Sequence, residues 1–242
     1  MMVRGSIKPK KGQIFVKRKI YNEILEWKKT YNGTTALLIE GARRVGKSYI
    51  AELFAKENYK SYILIDFNKV SDVVKDLFDL YLDDLDTFYM YLMNYFKVSL
   101  YERDSVIICD EVQLFPRARS AIKYLVADGR YDYIETGSLI SIKENVRDIV
   151  IPSEERHLSM YPLDFEEFCD ALGEEQICDY IRKCFADKTP LETELHHKAM
   201  LVFKQYMLVG GMPQSVIAFL ESRKDFDKAD IEKRDILALY RS

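Results

Sequence analysis

Gly41-Ala42-Arg43-Arg44-Val45-Gly46-Lys47-Ser48 decides the reading of this chain. The stretch fits the phosphate-binding pattern G-x-x-x-x-G-K-[ST], and it sits where such a loop must sit. Ahead of it runs Thr35-Ala36-Leu37-Leu38-Ile39, apolar and of the length of a buried strand. Behind it, Tyr49-Ile50-Ala51-Glu52-Leu53-Phe54-Ala55 repeats apolar residues at helical spacing. The glycines let the backbone curl so that successive N–H groups point inward, beside the positive end of the helix dipole. In that arrangement Lys47 reaches the β- and γ-phosphates of a nucleoside triphosphate, and the Ser48 hydroxyl holds Mg²⁺.

A second motif supplies what the loop lacks. Val106-Ile107-Ile108-Cys109 reads as a central strand ending in Asp110-Glu111, about sixty residues beyond the loop. Ligands of open α/β sheets bind at the carboxyl ends of the strands. Asp110 is placed to support the Mg²⁺ that Ser48 holds, and Glu111 to polarise a water as general base. An acidic pair alone would also suit a helix start; the loop upstream is what favours chemistry. The next strand, Tyr131-Asp132-Tyr133-Ile134, runs into Thr136-Gly137-Ser138. A hydroxyl there could sense the γ-phosphate or the attacking water. Thr136 and Ser138 are both candidates, and a plain turn with a capping Ser is the alternative. Arg43 and Arg44 contribute backbone N–H groups to the loop, while their side chains point to solvent or a neighbour. Arg156 is a candidate for stabilising transition-state charge, in cis or toward another subunit; an ion pair with Glu154 or Glu155 is the equal alternative. His157, His196 and His197 lack the spacing of a metal site.

Around these motifs the pattern alternates. The spacing predicts a helix over 19–31, a turn at Asn32-Gly33, a strand at Tyr62-Ile63-Leu64-Ile65 and two helices over 70–100 broken at Asp83-Asp84. Pro116 opens a further helix closed by Asp128-Gly129, and residues 156–160 form a fifth strand. Such alternation implies a parallel sheet covered on both faces, a three-layer α/β core of the P-loop type. Beyond Asp164 the pattern is entirely helical. The expected organisation is a basic arm and helix at 1–33, the core at 34–165 and a helical lid at 166–242.

Composition narrows the class. With 48% apolar and 31% charged residues in 242, the chain is an ordinary globular protein. Its longest apolar runs are of strand length, so no membrane partner is expected, and the N-terminus lacks a signal core, which makes a cytoplasmic location the default. Cys109, Cys169, Cys178 and Cys184 show neither C-x-x-C nor zinc spacing and read as reduced, buried thiols. A net charge of −3 excludes a surface coated in positive charge. Residues 1–19 nevertheless carry Arg4, Lys8, Lys10, Lys11, Lys17, Arg18 and Lys19 with no acid. That run is either a solvated arm or a contact for nucleic acid or an acidic partner.

With these motifs the chain resembles a family of bacterial and archaeal AAA+-type ATPases close to the STAND-like group. The resemblance covers residues from about 20 to 220: the loop, Ile107-Ile108-Cys109-Asp110-Glu111-Val112-Gln113, Thr136-Gly137-Ser138, Tyr161-Pro162-Leu163-Asp164-Phe165-Glu166-Glu167-Phe168 and Val209-Gly210-Gly211-Met212-Pro213. It implies an ATP-binding core with a helical lid whose Gly-Gly-Met-Pro segment, with Pro213, packs near the nucleotide base. By itself that segment is only a loop breaker between apolar helices. The family usually continues into a further C-terminal domain, whereas this chain stops at Tyr240-Arg241-Ser242 where Ile236, Leu237 and Leu239 mark a helix under way. The expectation is a truncated product or an apolar face that docks on a partner. The function expected is a Mg²⁺-dependent ATPase switch, with self-association or a protein client as partner. A nucleotide-gated scaffold with little hydrolysis and a small-molecule kinase are the alternatives.

Overall fold

The computed structural model describes residues 16–138 and 154–241. Two compact units divide the chain: Ile20–Met160, and Tyr161 onward together with the residues ahead of Ile20.

The first unit contains the strands β1 (Ala36–Gly41), β2 (Ser61–Asp66), β3 (Ser105–Asp110), β4 (Asp132–Ser138) and β5 (Glu155–Met160). They form one five-stranded sheet in the order β2-β3-β4-β1-β5, and every pairing is parallel. Parallel neighbours need crossover connections, and helices provide them. Helix α1 (Ile20–Tyr31) precedes β1, and α2 (Lys47–Asn58) joins β1 to β2. Helices α3 (Asp72–Leu80) and α4 (Leu85–Phe96) lead to β3; a single 3₁₀ turn (Val112–Leu114) and α5 (Pro116–Asp128) lead on to β4.

The apolar runs explain the layers. All of β3 is buried, as a parallel strand covered on both faces must be. On one face Leu38, Ile65, Cys109 and Tyr133 pack with Phe78 of α3, Phe88 and Tyr89 of α4, and Ile122 and Leu125 of α5. On the other, α2 lies against β1 to β4 and buries Ile50, Ala51 and Phe54. The acidic break between α3 and α4 is a helix cap, Asp84 accepting from Thr87 N at 3.2 Å. Gly129, at φ 74°, ends α5 in the left-handed conformation. Thr136-Gly137-Ser138 is not a turn. It lies inside β4, because β1 offers backbone partners as far as Gly41 opposite Ser138.

Gly41 closes β1 at a point without room for a side chain. A Cβ there would fall 2.2 Å from the Met160 carbonyl oxygen.

One charged cluster lies in the core. Arg119 of α5 is 1% exposed, and its Nη2 donates to both Glu155 oxygens at 3.0 Å. Glu135 Oε2 lies 4.0 Å from Nη1, yet neither Glu135 oxygen has a hydrogen-bond partner. His157 Nε2 sits 3.2 Å from Glu155 Oε1. Burial raises both carboxyls, but Arg119 and His157 oppose the rise at Glu155. At Glu135, burial and the neighbouring Glu155 push the carboxyl well above the usual range. Arg119 is thus hydrogen-bonded to Glu155, while burial works against a charge on Glu135.

The second unit is helical: α6 (Phe165–Leu172), α7 (Glu175–Asp187), α8 (Thr193–Val209), α9 (Pro213–Glu221) and α10 (Phe226–Arg241). Phe168, Val202, Val209, Val216 and Phe219 form its core. Asp164 and Glu167 make a capping box at the start of α6. Glu167 also accepts from Arg18 Nε at 3.2 Å and Lys19 N at 2.6 Å, while the Lys19 ammonium pairs with Asp164 and Glu166. Arg18 and Lys19 are thus bound to this unit; Arg4, Lys8, Lys10 and Lys11 lie outside the described residues. A Cβ on Gly211 would meet the Leu163 oxygen at 2.2 Å, and the Gly211 carbonyl accepts from Leu163 N at 2.6 Å. That close approach is a packing reason for the glycine ahead of Pro213. All four cysteines are free; burial pushes the Cys169 thiol up to about 12.

Two outcomes test these points. Replacing Gly41→Ala forces β1 and β5 apart and is expected to cost about 1–3 kcal/mol or more, read as a lower urea midpoint with unchanged slope. For Glu135, the folded-state pKa lies above the unfolded value of about 4.3, so its contribution to stability is present at acid pH and is lost as pH rises. The melting temperature of Glu135→Gln minus that of the wild type should therefore increase from about pH 5 to pH 8. A difference independent of pH would mean that Glu135 is ionised in the fold.

Candidate functional site

The loop between β1 and α2 turns on two left-handed residues, Arg44 at φ 66° and Gly46 at φ 98°. Gly46 is the residue before α2, whose first turn has no side-chain cap and no acidic residue. The positive end of that helix therefore meets the loop with no carboxylate of its own first turn beside it. Val45 is buried and anchors the loop, while Ala42, Arg43 and Arg44 are exposed. Lys47 is only 5% exposed. Its ammonium donates to the Gly41 and Ala42 carbonyls at 3.1 and 2.9 Å. Burial pulls it below the ordinary lysine range, against the opposing pull of Glu111 and Asp110. A buried cation bonded to neutral carbonyls is suited to an incoming anion.

Strand β3 brings Asp110 to this loop. Ser48 Oγ donates to Asp110 Oδ1 at 2.6 Å, and Thr136 Oγ1 donates to the same oxygen. Thr136 is fully buried and accepts from the Glu111 backbone N–H at 3.3 Å. Of the two hydroxyls in Thr136-Gly137-Ser138, Thr136 is the one that meets Asp110; Ser138 pairs in register with Gly41. Glu111 has φ 55° and ψ 46°, and its Oε2 accepts from Gln113 Nε2. Lys47 and Ser48 at the start of α2, Asp110 and Glu111 at the end of β3, and Thr136 of β4 are thus brought together. Beside them opens a cavity of about 420 Å³ lined by Arg43, Asp66, Lys69, Asp110, Glu111 and Gln113.

Asp66 and Lys69 were not singled out from sequence, and Gln113 entered only as the last residue of the motif Ile107–Gln113 that carries the resemblance. Asp66, at the end of β2, pairs with Lys69 at 3.0 Å, and Phe67 N donates to the Asp110 carbonyl at 3.1 Å. An acid at a strand's carboxyl end was a readable signal; for Gln113 the signal was its place in the motif that follows β3.

One expected residue, Arg156, is not brought to this group. Arg156 pairs in register with Leu37, about 13 Å along the strand from its loop end. Its guanidinium lies 4.7 Å from the Tyr31 ring centre rather than on Glu154 or Glu155. Pro213 opens α9 of the helical unit. Ser48 and Asp110 offer hard oxygen donors, which fit Mg²⁺. No described helix is long and apolar enough to cross a membrane.

The profile of a family described as an AAA domain matches residues 33–169, more than half of the chain. No curated protein matches. Among solved structures, the Walker-type ATPase PABY2304 of Pyrococcus abyssi aligns with a TM-score of 0.54 at 16% identity, over 98% of this chain and 78% of that one. PCH-2 of C. elegans aligns with a TM-score of 0.40 at 12% identity, over 85% of this chain and 62% of its own. A STAND protein with a tetratricopeptide repeat sensor, PH0952 from Pyrococcus horikoshii, gives 0.45 at 15% identity, over 84% and 29%. By its family match the chain belongs to the AAA domain family, and its P-loop fold, shared with a Walker-type ATPase, agrees with that.

Proposed function

We propose that this chain binds ATP with Mg²⁺ and hydrolyses it to ADP and phosphate, as a nucleotide-driven switch. The observation that carries the reading is the shared oxygen of Asp110, which accepts from Ser48 on the loop side and Thr136 on the β4 side. That junction ties the phosphate loop to the strand end that bears Glu111.

The loop N–H groups and Lys47 bind the phosphates. Ser48 and Asp110 would hold Mg²⁺, which when bound neutralises phosphate charge. Glu111 accepts a proton from water as its oxygen attacks the γ-phosphorus. The bond from that phosphorus to the bridging oxygen breaks, and the electron pair leaves on ADP. Thr136, bonded to Asp110 and to the Glu111 backbone, is the better-supported sensor, with Ser138 the alternative. Pro213 near the base rests on the family resemblance alone. Arg156 would act only on a neighbouring subunit, and self-association or a protein client is the proposed use of the switch.

Three outcomes test this reading. Glu111→Gln is expected to lower steady phosphate release about 10²–10⁴-fold with ATP binding kept. Equal release from both proteins would leave a nucleotide-gated scaffold. Lys47→Ala should weaken ATP binding at least about tenfold, since it deletes a charged phosphate contact; unchanged affinity would place the phosphates elsewhere. Transfer of labelled phosphate to an added small acceptor, rather than to water, would make the chain a kinase.

A further inference from the structure

We propose that Gln113 is a positioning residue for Glu111, holding its carboxylate in place for the encounter with water; this rests on the ATPase reading above. Glu111 occupies a left-handed conformation that an L-residue keeps only where its surroundings impose it. The backbone is imposed from both sides: Glu111 N donates to Thr136 Oγ1 at 3.3 Å, and Leu114 N donates to the Glu111 carbonyl at 3.0 Å. These bonds leave the side chain free to turn about its own torsions. Among the described residues, the hydrogen bond that restrains the carboxylate is the one from Gln113 Nε2 to Oε2. With Oε2 engaged, Oε1 is the oxygen left to take a proton.

Gln113 is poorly explained by packing. It is 4% exposed, and its own Oε1 is buried with no hydrogen-bond partner. A buried acceptor left unpaired is destabilising, and an apolar side chain of similar volume would avoid that cost. Among the described residues, the bond the side chain makes goes to Glu111, the proposed general base. Both residues line the cavity that Arg43 and Asp110 also line. Thr136 thus fixes the Asp110 side chain and the Glu111 backbone, and Gln113 fixes the Glu111 side chain.

The test is a double-mutant cycle on ATP hydrolysis by the full chain. Gln113→Met keeps the volume and removes the donor; Gln113→Leu also removes it and adds no charge beside Glu111. Each is expected to lower kcat about 10–100-fold, the effect of misplacing a reacting group by about an ångström. KM for ATP and affinity for a non-hydrolysable ATP analogue should stay within about twofold, and Gln113→Met should melt no lower than the wild type. In the Glu111→Gln background, Gln113→Met should change kcat no further, because a residue acting through Glu111 has nothing left to act on. Unchanged kcat in both single variants overturns the proposal. So does an equal fold-loss in both backgrounds, and so does loss of analogue binding, which would make Gln113 a structural part of the site. If Glu111→Gln releases phosphate as fast as the wild type, the ATPase reading fails and takes this inference with it. If Glu111→Gln is inactive while Gln113→Met matches the wild type, only the inference fails.

Discussion

Strand β1 is hydrogen-bonded on both sides, to β4 and β5, and both registers run out together at Gly41, opposite Ser138 and Met160. The missing side chain of Gly41 permits that close passage. Because every strand is parallel, all carboxyl ends share one edge of the sheet. Residues far apart in sequence, such as Gly41, Asp66 and Asp110, are therefore gathered there by topology. A substituent on Gly41 would disturb the sheet and the loop together, since the loop begins at that residue.

Charge is handled in two ways within this unit. At the sheet edge, Lys47 is buried against carbonyl oxygens beside a helix N-terminus that no acid caps, an arrangement that favours an incoming anion. Under α5, Arg119 is buried against Glu155 in a two-point ion pair, and burial pushes the Glu135 carboxyl beside it above the usual range. There the charges neutralise one another and no ligand is called for. Glu135 is next to Thr136 in β4, so the strand that carries the hydroxyl at Asp110 also carries a carboxyl whose charged form burial disfavours.

Much of this was legible because local physics carried it. The loop needs Gly46 for a positive φ and Lys47 and Ser48 for phosphate and metal, so its pattern survives in any single sequence. The acidic break before α4 and the Gly129 cap are local as well, since a cap's partners lie within one turn. Thr136-Gly137-Ser138 was less legible. Its glycine and hydroxyls have turn composition, and only pairing with β1 extends the strand through them. Arg156 read as a candidate for the site because its distance from the loop depends on register, which one strand does not reveal. Gln113 stood in a recognisable motif but had no role of its own there, since a lone amide acquires meaning only from what it touches.

By itself, the sequence determined the alternation of strands and helices, the phosphate loop and the acidic pair after β3, because hydrophobic periodicity and backbone conformation are properties of short segments. Tertiary structure alone decided that Thr136 rather than Ser138 meets Asp110, that Gln113 bonds Glu111, and that Arg119 pairs with Glu155 in the core. These depend on strand order and register, which set the distances between residues that are remote along the chain.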